Sequence, residues 1–171
     1  AFDVFECAEF VFDNLVLVSK PLNPRNITYF VNGVSHVMQY FAIQEMPLRG
    51  AVAVGDYLNG GSGNVFLSTA FKALSEAEKS QNWSGCVLLQ DAENVVLEAL
   101  DGLDANVQSA TDAIIWFPVP LHGRAEQEAW CINWVFGMSS VHLNELSQFM
   151  NEVEAKKSNT FIIMYLFIGR T

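Results

Sequence analysis

The sequence predicts an α+β fold, a single domain over residues 1–171 with a mostly antiparallel sheet and helices packed on one side of it. Three observations predict it. Short β-branched runs such as Asn14–Ser19 (NLVLVS) and Cys86–Leu89 read as strands. Elsewhere apolar residues recur three and four apart, as in Ile27, Phe30, Val31, Val34, Val37, Met38 and Phe41, which is the spacing of one helix face. The order that results is strands, helix, strand, helix, strand, helix, two strands, helix and an apolar tail. A layered α+β domain accommodates it.

Each element follows from local chemistry. Phe2–Phe12, rich in Phe and Val with interspersed acids, reads as one or two strand segments. Lys20-Pro21 stops the next strand, because proline cannot donate to a ladder. Pro24 suits a first helical turn with Asn23 as its N-cap, and the helix runs to about Glu45 before Pro47 ends it. Leu48–Leu58 is apolar on both faces up to Gly55, as a central strand requires. Asn59–Asn64 (NGGSGN) is a turn rather than a phosphate cradle, since no GxxxxGK[ST] follows. Ala70–Ser80 has helical composition, Asn82–Gly85 breaks it, and Ala92–Leu103 forms the next helix. Thr111–Pro120 is a strand that its two prolines place near a sheet edge, joined by a hairpin to Ala129–Phe136. Val141–Ala155 reads as a helix, and Phe161–Ile168 as a last strand or a buried helix.

Composition narrows the function classes. Apolar residues make up 51% of the chain, enough for a packed core, and no low-complexity tract or internal repeat interrupts it. Nineteen acidic against nine basic side chains give a net charge of −10, which repels nucleic acid and anionic membrane alike. An anionic small ligand would need bound cations or a local cluster of donors. Cys7, Cys86 and Cys131 are widely spaced and make no CxxC, the pattern of reduced thiols in a cytoplasmic protein. The longest apolar run is too short to span a bilayer. The opening residues lack the pattern of a signal peptide. The chain begins without Met, directly in strand-like sequence, which is the expectation for part of a longer product.

Few residues carry a chemical signal. Asp13 lies between Val11-Phe12 and Leu15-Val16, where an acid is costly to bury unless it is paired or metal-bound. The competing reading is a turn Asp followed by Asn14, common in hairpins. Asp3 has the same character. Two such carboxylates on neighbouring strands suit Mg²⁺ or Mn²⁺, the hard cations that accompany a triphosphate. Arg49 and Lys72 are candidate phosphate contacts, each equally readable as a solvated charge, and Lys156-Lys157 is a small basic pair that draws interest in an acidic chain. The three histidines share no ligand spacing, and no nucleophile motif is present.

Several segments nonetheless resemble one family, in the right order. Val11–Leu22 (VFDNLVLVSKPL) is similar to the F-S-D-N-hydrophobic-S-K-P pattern of a bacterial branch of the class III nucleotidyl cyclases. Pro47–Asp56, Phe66–Ala70, Ala77-Glu78 and Gln81–Gly85 resemble its P-L-R-G-A-I-A-x-G-E, F-L-G-x-A, L-E and Q-N-W-x-G marks. Phe117–Pro120, Ile132–Trp134 and Lys157–Thr160 resemble its V-P, I-N-W and K-x-N-T marks. The branch includes the pyrimidine cyclases of Pycsar anti-phage defence.

The resemblance implies a ferredoxin-like catalytic domain working as a head-to-tail homodimer with active sites at the interface. It implies two divalent ions, Mn²⁺ or Mg²⁺, held by Asp13 and Asp3, and a nucleoside triphosphate, UTP or CTP ahead of ATP or GTP. The product it implies is cyclic UMP or cyclic CMP. Arg49, Lys72 and Lys157 would then contact the triphosphate. Nine residues separate Asp3 from Asp13, where the family has a helical region, so the reading expects part of that region to be missing. Ser68 stands where the family has Gly. Lys72 and Glu76 stand where purine cyclases carry Asn and Arg. The alternative that the resemblance leaves open is a catalytically silent cyclase-fold module for dimerisation or nucleotide sensing.

Overall fold

The computed structural model describes residues 4–11, 14–59, 66–103, 112–139, 143–144, 147–148 and 162–168. Among the described residues the main elements run in the order β1 (Phe5–Val11), β2 (Asn14–Ser19), α1 (Ile27–Ile43), β3 (Leu48–Val54), β4 (Tyr57–Asn59), β5 (Phe66–Ser68), α2 (Phe71–Ser80), β6 (Cys86–Leu88), α3 (Gln90–Asp101), β7 (Ile114–Val119), β8 (Gln127–Ile132) and β9 (Ile162–Ile168). Seven strands form one sheet, ordered β1-β2-β9-β3-β6-β8-β7, and β4 pairs with β5 in a separate ribbon. The α+β class holds.

The mostly antiparallel sheet does not hold. β1–β2, β6–β8 and β7–β8 are antiparallel, whereas β2–β9, β9–β3 and β3–β6 are parallel. The apolar tail accounts for two of the three parallel pairings. It enters as a strand between β2 and β3, parallel to both, and residues Met164, Leu166 and Ile168 are buried there. Its sequence is a continuous apolar run without the alternation of a half-buried strand, which is why it did not separate strand from helix. Helix α1 connects β2 to β3, the two strands that flank β9, and α2 lies in the crossover from β3 to its parallel neighbour β6.

Nor do the helices share one side. Alternation along the strands sends Leu48, Val52, Met164 and Leu166 to the face packed by α1 and α3, whose Ile27, Phe30, Val34, Met38, Ala92 and Val96 complete that core. Val16, Val18, Ala51, Ala53, Val87 and Cys131 turn to the opposite face and meet Leu74 of α2. Gly50 of β3 sits opposite Met164 of β9. A Cβ there would lie 2.6 Å from the Met164 carbonyl oxygen, so the strand pair needs glycine.

Element ends differ where side chains decide them. The central strand leaves the sheet after Val54, and Tyr57–Asn59 turns away to pair with β5. β8 ends at Ile132 rather than Phe136, because Asn133 and Trp134 turn there, with Phe136 N–H donating to Asn133 O at 3.1 Å. The N-cap position of α1 is Asn26, not Asn23, and its side chain makes no cap bond. Instead Asn23 Oδ1 accepts from Arg25 N–H and Asn26 Oδ1 from Asn23 N–H, a turn stapled by two asparagines. Residues 143–144 and 147–148 are helical; the rest of the predicted 141–155 helix and the 60–64 turn lie outside the described residues. None of the described helices is long and apolar enough to cross a membrane.

Candidate functional site

The head of the parallel strands holds Arg49, which the sequence singles out, and Asn14, the neighbour of Asp13. Asn14 opens β2 and Arg49 lies second in β3, and both are level with Ile163 of β9, one on each side. Two strand spacings therefore separate their Cα atoms, about 10 Å. Asn14 Nδ2 donates to Val11 O at 3.3 Å, closing the β1–β2 hairpin. Asp13, between these two residues in sequence, lies outside the described residues, as do Asp3 and Lys157. The structure thus brings the residue next to Asp13 and Arg49 to the same end of the sheet.

Arg49 has a definite partner. On the α2 face its Nε donates to Glu78 Oε1 at 2.8 Å, Nη2 donates to the same oxygen, and Nη1 donates to Gln81 O at 2.9 Å. Glu78 is fully buried at the end of α2, and its Oε2 has no hydrogen-bond partner. A lone buried carboxylate is expensive, and the guanidinium supplies the compensating charge. The arrangement anchors α2 to the central strand.

The neighbouring residues extend that anchor. Gln81 Nε2 donates to Gly50 O at 3.2 Å and Ala77 O at 3.1 Å, while its Oε1 accepts from Trp83 Nε1 at 2.8 Å. Trp83 stacks on Phe117 of β7 with ring centroids 4.9 Å apart. Ser84 Oγ donates to Leu48 O at 2.9 Å, and Gly50 N–H to Gly85 O at 2.9 Å. A Cβ at Gly85 would strike the Trp83 ring at 2.4 Å. The Pro47–Asp56, Ala77-Glu78 and Gln81–Gly85 marks are thus one contact unit. Sequence reasoning missed Glu78 as the partner of Arg49; the signal was that both fall within segments resembling one family.

Lys72 stands apart. It projects from α2 into solvent, 87% exposed, with its Nζ 3.8 Å from Glu76 Oε1 one turn on. The Arg49 cluster does not include it.

Two clefts lie elsewhere. One, of about 380 Å³, opens where β6 and β8 part after two paired positions, and Ser80, Gln81, Gln90, Glu93, Trp116 and Glu128 are among its walls. It carries two carboxylates and no Lys or Arg, which disfavours a triphosphate there. The other, about 460 Å³, runs between β1 and α1 and is mainly apolar. Among the described residues no group of three or more His, Cys, Asp or Glu is placed to hold a metal ion. Glu78 is already engaged by Arg49 and does not fit the multi-oxygen shell of a hard cation.

Two of the three thiols are buried. Cys86 and Cys131 are buried on adjacent strands and opposite faces, and Cys7 is half-buried; none forms a disulfide. Burial pushes Cys131 up to about 12, and burial together with nearby Cys131 raises Cys86 well above its ordinary value. Burial and the hydrogen bond to Glu6 likewise raise Tyr57.

No protein-family model, curated protein or solved structure matches the chain.

Proposed function

We propose that this chain is a metal-dependent nucleoside-triphosphate cyclase with a ferredoxin-like class III fold. In this reading it acts as a homodimer in anti-phage defence, converting UTP or CTP into a 3′,5′-cyclic nucleotide and pyrophosphate. The observation that carries the reading is that segments resembling the family in sequence order also meet in space. Arg49 reaches Glu78 and Gln81, Ser84 reaches Leu48, and Gly50 reaches Gly85. Further support comes from the shared strand level of Asn14 and Arg49, next to the residue proposed as a metal ligand.

Asp13 and Asp3 would hold the divalent ions, carboxylates being the donors that hard cations prefer. Bound there, the ions would neutralise triphosphate charge and aid attack of the ribose 3′-hydroxyl on the α-phosphorus. Lys157 and Lys72 would add cationic contacts. In a chain of net charge −10 such cations are needed for a polyanionic substrate to bind.

One observation favours a second reading, a silent cyclase-fold module that senses nucleotide or dimerises. The Arg49 guanidinium is already spent on Glu78 and the Gln81 carbonyl. Incubation with Mn²⁺ and each of the four triphosphates, followed by mass spectrometry, separates the two. A cyclic pyrimidine product supports the cyclase. Tight binding of UTP or CTP with no product supports the module.

A further inference from the structure

The cleft beside β6 has walls that the proposed triphosphate site does not explain. It measures about 380 Å³, at the small end of the ~300–1,000 Å³ usual for small-molecule sites. It opens where the chain changes side. Helix α2, before β6, packs on one face of the sheet, and α3, after β6, packs on the other. Pairing changes there too, from parallel with β3 to antiparallel with β8. In open α/β sheets such a change of face leaves a crevice at the carboxyl ends of the strands, and ligands collect in it. Leu88 and Leu89 at the carboxyl end of β6, and Glu93 in the first turn of α3, are walls of this one.

We infer that this cleft binds a small organic cation, an ammonium or guanidinium group carried on an apolar body. Charge sets the sign of the ligand. Glu93 and Glu128 are walls and no Lys or Arg is, and among the described residues neither carboxylate has an ion-pair partner. Glu93 is half-buried, so a counter-charge beside it gains more than it would at an open surface. The net charge of −10 draws cations toward the same place. The aromatic wall sets the type of cation. Trp116 is 50% exposed, and Trp130 meets it edge-on with ring centroids 5.5 Å apart, which holds the indole in place. An organic cation over an indole face is attracted by the ring quadrupole, and Trp is the strongest aromatic partner for it.

The remaining walls fit the rest of such a molecule. Leu88, Leu89 and Val119 give its body apolar contact. On the β8 side Gln127, Glu128 and Ala129 pair, among the described residues, with β7 alone, so backbone groups along that wall are open to N–H donors of a ligand. Gln81 contributes shape only. Its Nε2 donates to Gly50 O and Ala77 O, and its Oε1 accepts from Trp83 Nε1. A bare metal ion suits the cleft less well. Mg²⁺ and Ca²⁺ take about six to eight oxygen ligands, whereas here two carboxylates share the walls with aliphatic and indole side chains. Neither Arg49 nor Lys72 is a wall of the cleft, which sets it apart from those two proposed triphosphate contacts.

Isothermal titration calorimetry of the full chain with benzylammonium tests it, beside benzyl alcohol as the neutral match and benzoate as the anion. Benzylammonium binds saturably and more weakly as salt is raised, agmatine displaces it, and the alcohol and the acid bind about tenfold less tightly or not at all. Glu93→Gln and Glu128→Gln keep the shape, remove the charge, and each weaken benzylammonium about tenfold. Trp116→Leu, at a half-exposed position, weakens it about fivefold with circular dichroism unchanged. A chain that binds neither cation overturns the inference. So does equal binding of benzyl alcohol, or indifference to all three substitutions. Displacement of benzylammonium by stoichiometric Mg²⁺ overturns it as well, since the site would then be one for inorganic cations. The titration contains no nucleotide, so its outcome is independent of whether the chain turns over a triphosphate.

Discussion

The two faces of the sheet are held by different physics. On the α1/α3 face, aliphatic and aromatic side chains supply the attachment, and α1 alone buries eight residues. On the α2 face the helix buries two residues, Leu74 and Glu78. A helix with so small an apolar footing needs a specific tether, and the Arg49–Glu78 pair provides one, with the Gln81 amide beside it. Apolar attachment degrades gradually as volume is removed. A buried ion pair fails abruptly when one member goes, because the other charge is left in a low-dielectric site.

The largest expected effect follows from that contrast. Arg49→Met leaves Glu78 buried without its counter-charge and costs about 3–5 kcal/mol in urea unfolding. Replacing both, R49M/E78L, recovers most of that loss; a double variant as weak as the single one would break the contrast. On the apolar face Met38→Ala should cost somewhat less, about 2–4 kcal/mol, through transfer and cavity terms alone. The two buried cysteines, Cys86 and Cys131, sharpen the comparison, one on each face. Both thiols are raised by burial, so the stabilisation from keeping them neutral is whole below their ordinary 9.0 and is lost as pH climbs toward about 12. Urea midpoints should therefore fall between pH 9 and 11, and neither thiol should react with iodoacetamide at pH 8 until the chain unfolds. Smallest of all, Lys72→Ala should change stability by less than about 0.5 kcal/mol, since its pair with Glu76 lies in water.

Much of the fold was legible where one principle governed. The period of Ile27–Met38 located α1, and Pro118 placed β7 at the sheet edge, where it is observed. The misjudged features depended on partners distant in sequence. Nothing local in Ile162–Ile168 says that it will part β2 from β3, and that insertion supplies two of the three parallel pairings that make the sheet mixed. Arg49 shows the same limit at the candidate site. Its local setting marks an arginine before a buried strand, whereas its partner Glu78 lies 29 residues on and one layer away. Residues chosen for their charge had their roles set by burial, which the sequence does not display residue by residue. Asp3, Asp13 and Lys157 lie outside the described residues, so chemistry rather than geometry must test them.

The most direct test of the central claim is pyrophosphate release from UTP and CTP in the presence of Mn²⁺, by the wild-type chain and by Asp13→Ala, each checked for folding by circular dichroism. The cyclase reading expects release by the wild type, a loss of at least a hundredfold in the folded variant, and a matching cyclic nucleotide. Equal release by both, or none from any of the four triphosphates, would contradict it.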